Sequence, residues 1–287
     1  MEQNTNHTVS KMSNFYTRTI STMFILPPVL YSVWEGGLLY FLLIFLVLVI
    51  AGYEFANICG RWSFSFDGMI MTTFMMLSAT SFFLGKVVWG AVFIFLTVYL
   101  TYMVASMRYK SEKIPVVPSH LKRTKWLTLG SLYLSLGFSS MMYLAHVDET
   151  GVTILWVFLA TVCNDVFAYI FGSLIGGKKI APSISPNKSW SGFIAAAIST
   201  MVLTYLFGMY VNSSSEILLL SVGLLLAVFA HMGDMIESAF KRYLGIKDTS
   251  NIIPGHGGIL DRIDAVLMVA FVVAVLGLIL GKSPLFF

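Results

Sequence analysis

Nine runs of apolar residues, each near twenty long, follow one another with little between them. They cover 16–34, 37–56, 66–84, 87–106, 127–146, 151–172, 191–211, 215–237 and 263–281. A helix needs ~20 apolar residues, roughly 17–25, to cross the hydrocarbon core of a bilayer. The pattern therefore predicts an all-α chain, a polytopic membrane bundle of about nine transmembrane helices. Composition agrees: 57% of the 287 residues are hydrophobic and 11% charged, where a soluble domain is about half apolar and a quarter charged. Pro27-Pro28 inside the first run predicts a kink or a break in that helix. Lys11 and Arg18 ahead of this run give it the look of a secretory signal. No small-residue cleavage site follows, only Trp34-Glu35-Gly36-Gly37, so it reads as a retained first span.

The loops give the orientation. Lys11, Arg18 and Arg61 fall on one side. So do the basic run from Arg108 to Lys125, Lys178, Lys179 and Lys188, and finally Lys241, Arg242, Lys247 and Arg262. The other side carries Glu35, Lys86, Asp148, Glu149, Glu216 and Lys282. By the positive-inside rule the N-terminus is cytoplasmic and the C-terminus external. The net charge of +4 is explained by these loops and requires no nucleic acid. Cys59 and Cys163 have neither metal-ligand spacing nor a disulfide framework. The chain divides into a polar tail (1–15), an N-terminal transmembrane bundle with a basic cytoplasmic loop (16–126) and a C-terminal transmembrane catalytic region (127–287). The 107–126 loop is the expected linker.

Polar residues concentrate near the cytoplasmic ends of the last four runs. Asp165 lies inside the sixth, beside Asn164 and near Ala168, Tyr169 and Gly172. A carboxylate within the membrane costs a few kcal/mol and faces a cavity or a partner. The loop 172–192 combines Gly176-Gly177 with Lys178, Lys179, Lys188, Ser185, Ser189 and Ser191. It suits a phosphate, and equally an ordinary basic loop touching headgroups. His231, Asp234, Glu237, Ser238 and Lys241 form a polar stripe along the eighth run. Such a stripe is expected to line an aqueous cleft rather than lipid. The loop that follows carries Gly245, Pro254, Gly255, His256, Gly257 and Gly258, and Asp261, Arg262 and Asp264 open the ninth run. From 231 to 264, eleven residues are charged or His. Aspartates there also satisfy the helix dipole. Hard carboxylates suit Mg²⁺, and a metal with Lys/Arg clamps equips phosphoryl or nucleotidyl transfer.

The run Ser238-Ala239-Phe240-Lys241-Arg242, then Lys247-Asp248, Pro254, His256-Gly257-Gly258 and Asp261-Arg262-Ile263-Asp264, resembles the signature of the phosphatidate cytidylyltransferases (CDP-diacylglycerol synthases). Gly233-Asp234-x-x-Glu237-Ser238, Asn164-Asp165-x-x-Ala168-Tyr169 and Ser185 to Trp190 are similar to further motifs of that family. Asn187, Ser189 and Ser191 depart from it, standing where the family usually has Lys, Thr and Glu. The resemblance is strong over roughly 160–266, and the first half matches only in hydropathy and length.

The resemblance implies conversion of CTP and phosphatidic acid to CDP-diacylglycerol and pyrophosphate with Mg²⁺, a second cation being an open option. It implies Asp234 and Asp261 as metal ligands, supported by Asp264 and Asp165. Lys188, Lys241, Arg242 and Arg262 would hold phosphates, and Glu237 would orient Lys241. His256, Gly257 and Gly258 would shape the nucleotide cradle, with Ser189 and Ser238 near phosphate. The expected setting is a bacterial cytoplasmic membrane, lipid entering sideways from the bilayer and CTP from the cytoplasm. Small residues at Gly52, Ala91 and 195–197 suit helix packing, and a homodimer is an open option. Two other readings are a CTP-dependent polyprenol or dolichol kinase and an ion-coupled secondary transporter. The long Ser238–Asp264 run disfavours the first, and the lack of an inverted repeat the second.

Overall fold

The computed structural model describes residues 21, 23–60, 66–111, 120–213, 215–246, 248–255 and 257–286. Among the described residues nine helices follow in chain order. They are α1 (23–35), α2 (Gly37–Gly60), α3 (Phe66–Phe83), α4 (Val87–Ser111), α5 (His120–Val147), α6 (Val152–Leu174), α7 (Trp190–Tyr210), α8 (Glu216–Leu244) and α9 (Leu260–Leu280). All but α1 and α3, seven in number, are long and apolar enough to cross a membrane by length and composition. The chain is a polytopic helical bundle, as the apolar runs predict. The first helix is unbroken at Pro27-Pro28. The backbone groups that prolines leave free in a membrane helix can be satisfied by neighbours and local adjustment. Most of the expected 107–126 linker is helical at its two ends, and 112–119 lie outside the described residues.

Two features depart from an all-α chain among the described residues. One is a short antiparallel hairpin between α6 and α7, β1 (Lys179–Ala181) paired with β2 (Ser185–Ser189). The other is an isolated bridge between Ile253 and Gly257. Pro186 sits in a two-stranded ribbon, where it is tolerated because each strand is an edge.

Helices α3, α4 and α5 pack on one another, and α6, α7 and α8 form a second row. Helix α5 joins the two halves, packing on α2, α3, α4 and α9. Lipid tails are as apolar as leucine, so close backbone approach and interhelical hydrogen bonds hold such helices together. At the α6–α7 contact a Cβ on Gly192 would stand 2.5 Å from the Ala168 carbonyl oxygen, so the pair can meet only through a glycine. Two interhelical hydrogen bonds of this kind are Ser78 with Ser139 (2.8 Å), and Trp156 Nε1 donating to Thr204 Oγ1 (3.2 Å). This packing brings one end each of α2, α6, α8 and α9 together with the hairpin.

Candidate active site

Three residues of α8, Asp234, Glu237 and Lys241, follow at i, i+3 and i+7 and share a helical face. Lys241 Nζ lies 2.8 Å from Glu237 Oε2 and 2.9 Å from Asp261 Oδ1, the latter in the first turn of α9. Asp261 Oδ2 accepts from the backbone N–H groups of Gly258 (2.9 Å) and Thr249 (3.0 Å). One carboxylate therefore ties together α8, the start of α9 and both ends of the loop between them.

Two glycines of that loop, Gly257 and Gly258, are demanded by crowding. Gly257 has φ +84°, and a Cβ there would sit 2.8 Å from Asp261 Oδ2. At Gly258 a Cβ would fall 2.0 Å from Thr249 Oγ1 and 2.9 Å from both carboxylate oxygens of Glu54. The Gly258 N–H of the expected phosphate cradle is thus already given to Asp261. His256 and Lys247 of the motif lie outside the described residues.

A second grouping adjoins the first. The hairpin delivers Lys188, whose Nζ is 2.8 Å from Asp234 Oδ2. Asp264, buried one turn into α9, faces Asp234 and Glu237. Asp165 of α6 is exposed and within electrostatic reach of Asp234, Lys188 and Arg262. Arg242 and Arg262 are exposed, and Ser238 is half-buried beside Glu237. The close approach of α8 to α9 needs Gly233, where a Cβ would stand 2.8 Å from the Asp264 carbonyl oxygen. Among the described residues, no three Asp, Glu, His or Cys side chains converge on a single point in a metal-holding group. The carboxylates instead surround two ammonium groups.

Some expected site residues have structural partners. Ser189 is buried; its Oγ caps α7 by accepting from Gly192 N (3.3 Å) and shares a hydrogen bond with Ser191 Oγ (3.0 Å). Ser191 donates in turn to the Gly176 carbonyl. His231, expected to line an aqueous cleft, is buried: its ring packs edge-on to Phe193 at 5.0 Å, and Asn164 Nδ2 lies 3.5 Å from Nδ1. Of the polar stripe of α8, Asp234, Ser238 and Lys241 are partly exposed, while Glu237 is buried like His231.

Glu54 of α2 was missed. It is 1% exposed, and it accepts from Ile259 N (3.0 Å), Leu260 N (2.8 Å) and the Ser250 hydroxyl. The available signal was a lone carboxylate inside the second apolar run.

The sequence model of the cytidylyltransferase family matches residues 16–280. The chain belongs to this family. The match takes in the first half as well, where sequence reading found only similar hydropathy and length. Relatives that bear the name phosphatidate cytidylyltransferase are similar over part of their length. The Staphylococcus saprophyticus protein is 41% identical over 139 residues, 48% of this chain and 52% of that one. The Bacillus subtilis (strain 168) protein is 38% identical over 148 residues, 50% and 54%. The Staphylococcus aureus (strain COL) protein is 38% identical over 153 residues, 53% and 56%. The chain spans about half the length of the curated relatives it matches. Membership in the cytidylyltransferase family accords with a site made of carboxylates and cations in a membrane bundle.

Proposed function

We propose that this protein is a phosphatidate cytidylyltransferase, joining CTP to phosphatidic acid to give CDP-diacylglycerol and pyrophosphate. The observation that carries the reading is the cluster itself. Asp165, Asp234, Glu237, Asp261 and Asp264 are gathered with Lys188, Lys241 and Arg262 at one end of a membrane bundle. It is supported by membership in the cytidylyltransferase family and by the printed names of the relatives.

The reaction needs little covalent help from the protein. An oxygen of the lipid phosphate, anionic at neutral pH, attacks the α-phosphorus of CTP. The bond from that phosphorus to the oxygen bridging the α- and β-phosphates breaks, and pyrophosphate leaves with the electron pair. Two polyanions must be brought together in line and their repulsion relieved. Lys188 and Lys241, held in the cluster, with exposed Arg242 and Arg262, supply positive charge for the phosphates. Ser189, Ser238, Gly257 and Gly258 border the phosphate path in this reading, and His256 joins them by its place in the motif. Ser189 does so through the helix cap that sets the hairpin.

The donor chemistry suits Mg²⁺, since every candidate ligand is a hard oxygen and five carboxylates stand against three cations, although as they stand the carboxylates are turned to Lys188 and Lys241. Asp234, Asp261 and Asp264 would hold the ion, with Asp165 in support. The ion would supply charge neutralisation at the phosphate oxygens. Lys188 and Lys241 donate to Asp234 and Asp261 here, and both ammonium groups would be released toward a phosphate if a cation took these carboxylates. Lys and Arg asymmetry in the loops supports a cytoplasmic site in a bacterial cell membrane, with lipid entering from the bilayer. The boundary near 126 between an N-terminal bundle and a catalytic region belongs to the same proposal. A homodimer is compatible with it.

The test is release of pyrophosphate from CTP by the purified protein. Release should require both phosphatidic acid and Mg²⁺, and a chelator should stop it reversibly. Nucleotide turnover indifferent to the lipid would overturn the reading.

A further inference from the structure

Helix α9 starts without a cap of its own. Its N-cap residue, Ile259, is helical in φ and ψ and has no side-chain hydrogen bond to offer. The first backbone N–H groups of a helix must find acceptors elsewhere. Here the acceptor comes from a helix about two hundred residues earlier. Glu54 takes Ile259 N on Oε1 and Leu260 N on Oε2, and Oε1 also accepts from the Ser250 hydroxyl. Two residues on, Asp261 reaches back to Gly258 N and Thr249 N. The two carboxylates thus hold one loop from opposite sides, with Gly258 between them and no room there for a Cβ.

The surroundings hold Glu54 firmly. Next to it, Phe55 stacks on Phe240 of α8 at 5.0 Å, and Gly130 of α5 gives Phe55 its space. Between these anchors the loop reaches the surface, where Asp248, Ile252, Pro254 and Gly255 are exposed. A carboxylate is costly within an apolar helix, and a nearly fully buried one is retained only where its bonds are good. The helix dipole adds favourable charge at this terminus.

We propose that Glu54 is a positioning residue for the transfer reaction. It fixes the start of α9, and with it Asp261 and the 248–260 loop, so that α2 in the first half is part of the working site. The inference rests on the reading of that site as a Mg²⁺-assisted cytidylyltransferase. The side chain of Glu54 acts through the backbone it holds and touches no reacting atom.

The test compares wild type with Glu54→Gln and Glu54→Asp in purified full-length protein. A glutamine has one acceptor oxygen, so its NH₂ must face a backbone N–H or the Ser250 hydroxyl. Expected are faster amide exchange confined to 248–261, a turnover number lower on the order of 10²-fold, and a higher half-activating Mg²⁺ concentration. Glu54→Asp, which keeps the charge on a shorter arm, should recover part of each. Partial unfolding would lower maximal rate alone and leave the Mg²⁺ requirement unchanged; that outcome overturns the inference. So does exchange in 248–261 at the wild-type rate. If Glu54→Gln does not fold, the same readouts on Glu54→Asp and Ser250→Ala decide, and wild-type values in both overturn it. Wild type inactive with CTP and phosphatidic acid would overturn the functional reading instead, while the exchange arm still judges Glu54.

Discussion

Replacing Asp261 by Asn keeps the size of the side chain and removes its charge. Oδ1 now takes Lys241 Nζ at 2.9 Å, and Oδ2 takes the amides of Gly258 and Thr249 at 2.9 and 3.0 Å. An amide has a single acceptor oxygen. With that oxygen toward the loop, the NH₂ meets the Lys241 ammonium; turned round, it meets two N–H donors. Either way a charge-assisted hydrogen bond is lost, about 1.5–3 kcal/mol. Lys241 keeps Glu237 at 2.8 Å, so no ammonium is stranded. The bundle should therefore fold, with the 248–258 loop opening about 10- to 100-fold more often. Turnover should fall further, on the order of 10²–10³-fold, because the carboxylate would hold the Mg²⁺ that neutralises the phosphates, and losing one electrostatic stabiliser of a transition state costs about 2.7–4 kcal/mol. Single-turnover conversion of CTP, read with amide exchange over 248–261 and the melting temperature, separates the two effects. Turnover within twofold of wild type would refute the reasoning, whatever the loop does.

Other substitutions probe neighbouring parts of the account. Gly258→Ala places a methyl 2.0 Å from Thr249 Oγ1 and against buried Glu54. Overpacking of about 1–3 kcal/mol should lower the melting temperature and activity together, and a variant with both at wild-type level would show the loop to be roomier than described. Asp165→Asn removes, from an exposed position, a carboxylate that would support the Mg²⁺ site beside Asp234, so stability should hold while turnover drops on the order of 10²-fold. Full activity with a lower melting temperature would assign Asp165 a structural role.

Hydropathy located each of the nine α-helices among the described residues, because a membrane span must be apolar along its length. The run 191–211 corresponds to α7 at Trp190–Tyr210. It marked spans rather than helices, however. Helix α5 starts at His120 and α8 continues to Leu244, both past the apolar residues, since a helix can leave the membrane without ending. The hairpin gave no signal: strands of three and five residues, one with a proline, are too short for alternation. The motif residues of α8 and α9 were legible as a group, but their pairing was not. Lys188 and Asp234 are 46 positions apart, and only the packing of the hairpin on α8 brings them to 2.8 Å. His231 shared the helical face of Asp234, yet α7 covers it with Phe193. Glu54 escaped because a run scored for apolar length hides the one carboxylate within it.

The central claim is that the α-phosphate of CTP is transferred, with its nucleoside, to a lipid phosphate. Purified protein in vesicles containing phosphatidic acid, supplied with Mg²⁺ and CTP labelled at either the α- or the γ-phosphate, tests this most directly. The account predicts that α-label enters the lipid fraction while γ-label leaves as pyrophosphate. Label from the γ-phosphate in the lipid, or no label from either position, would contradict it.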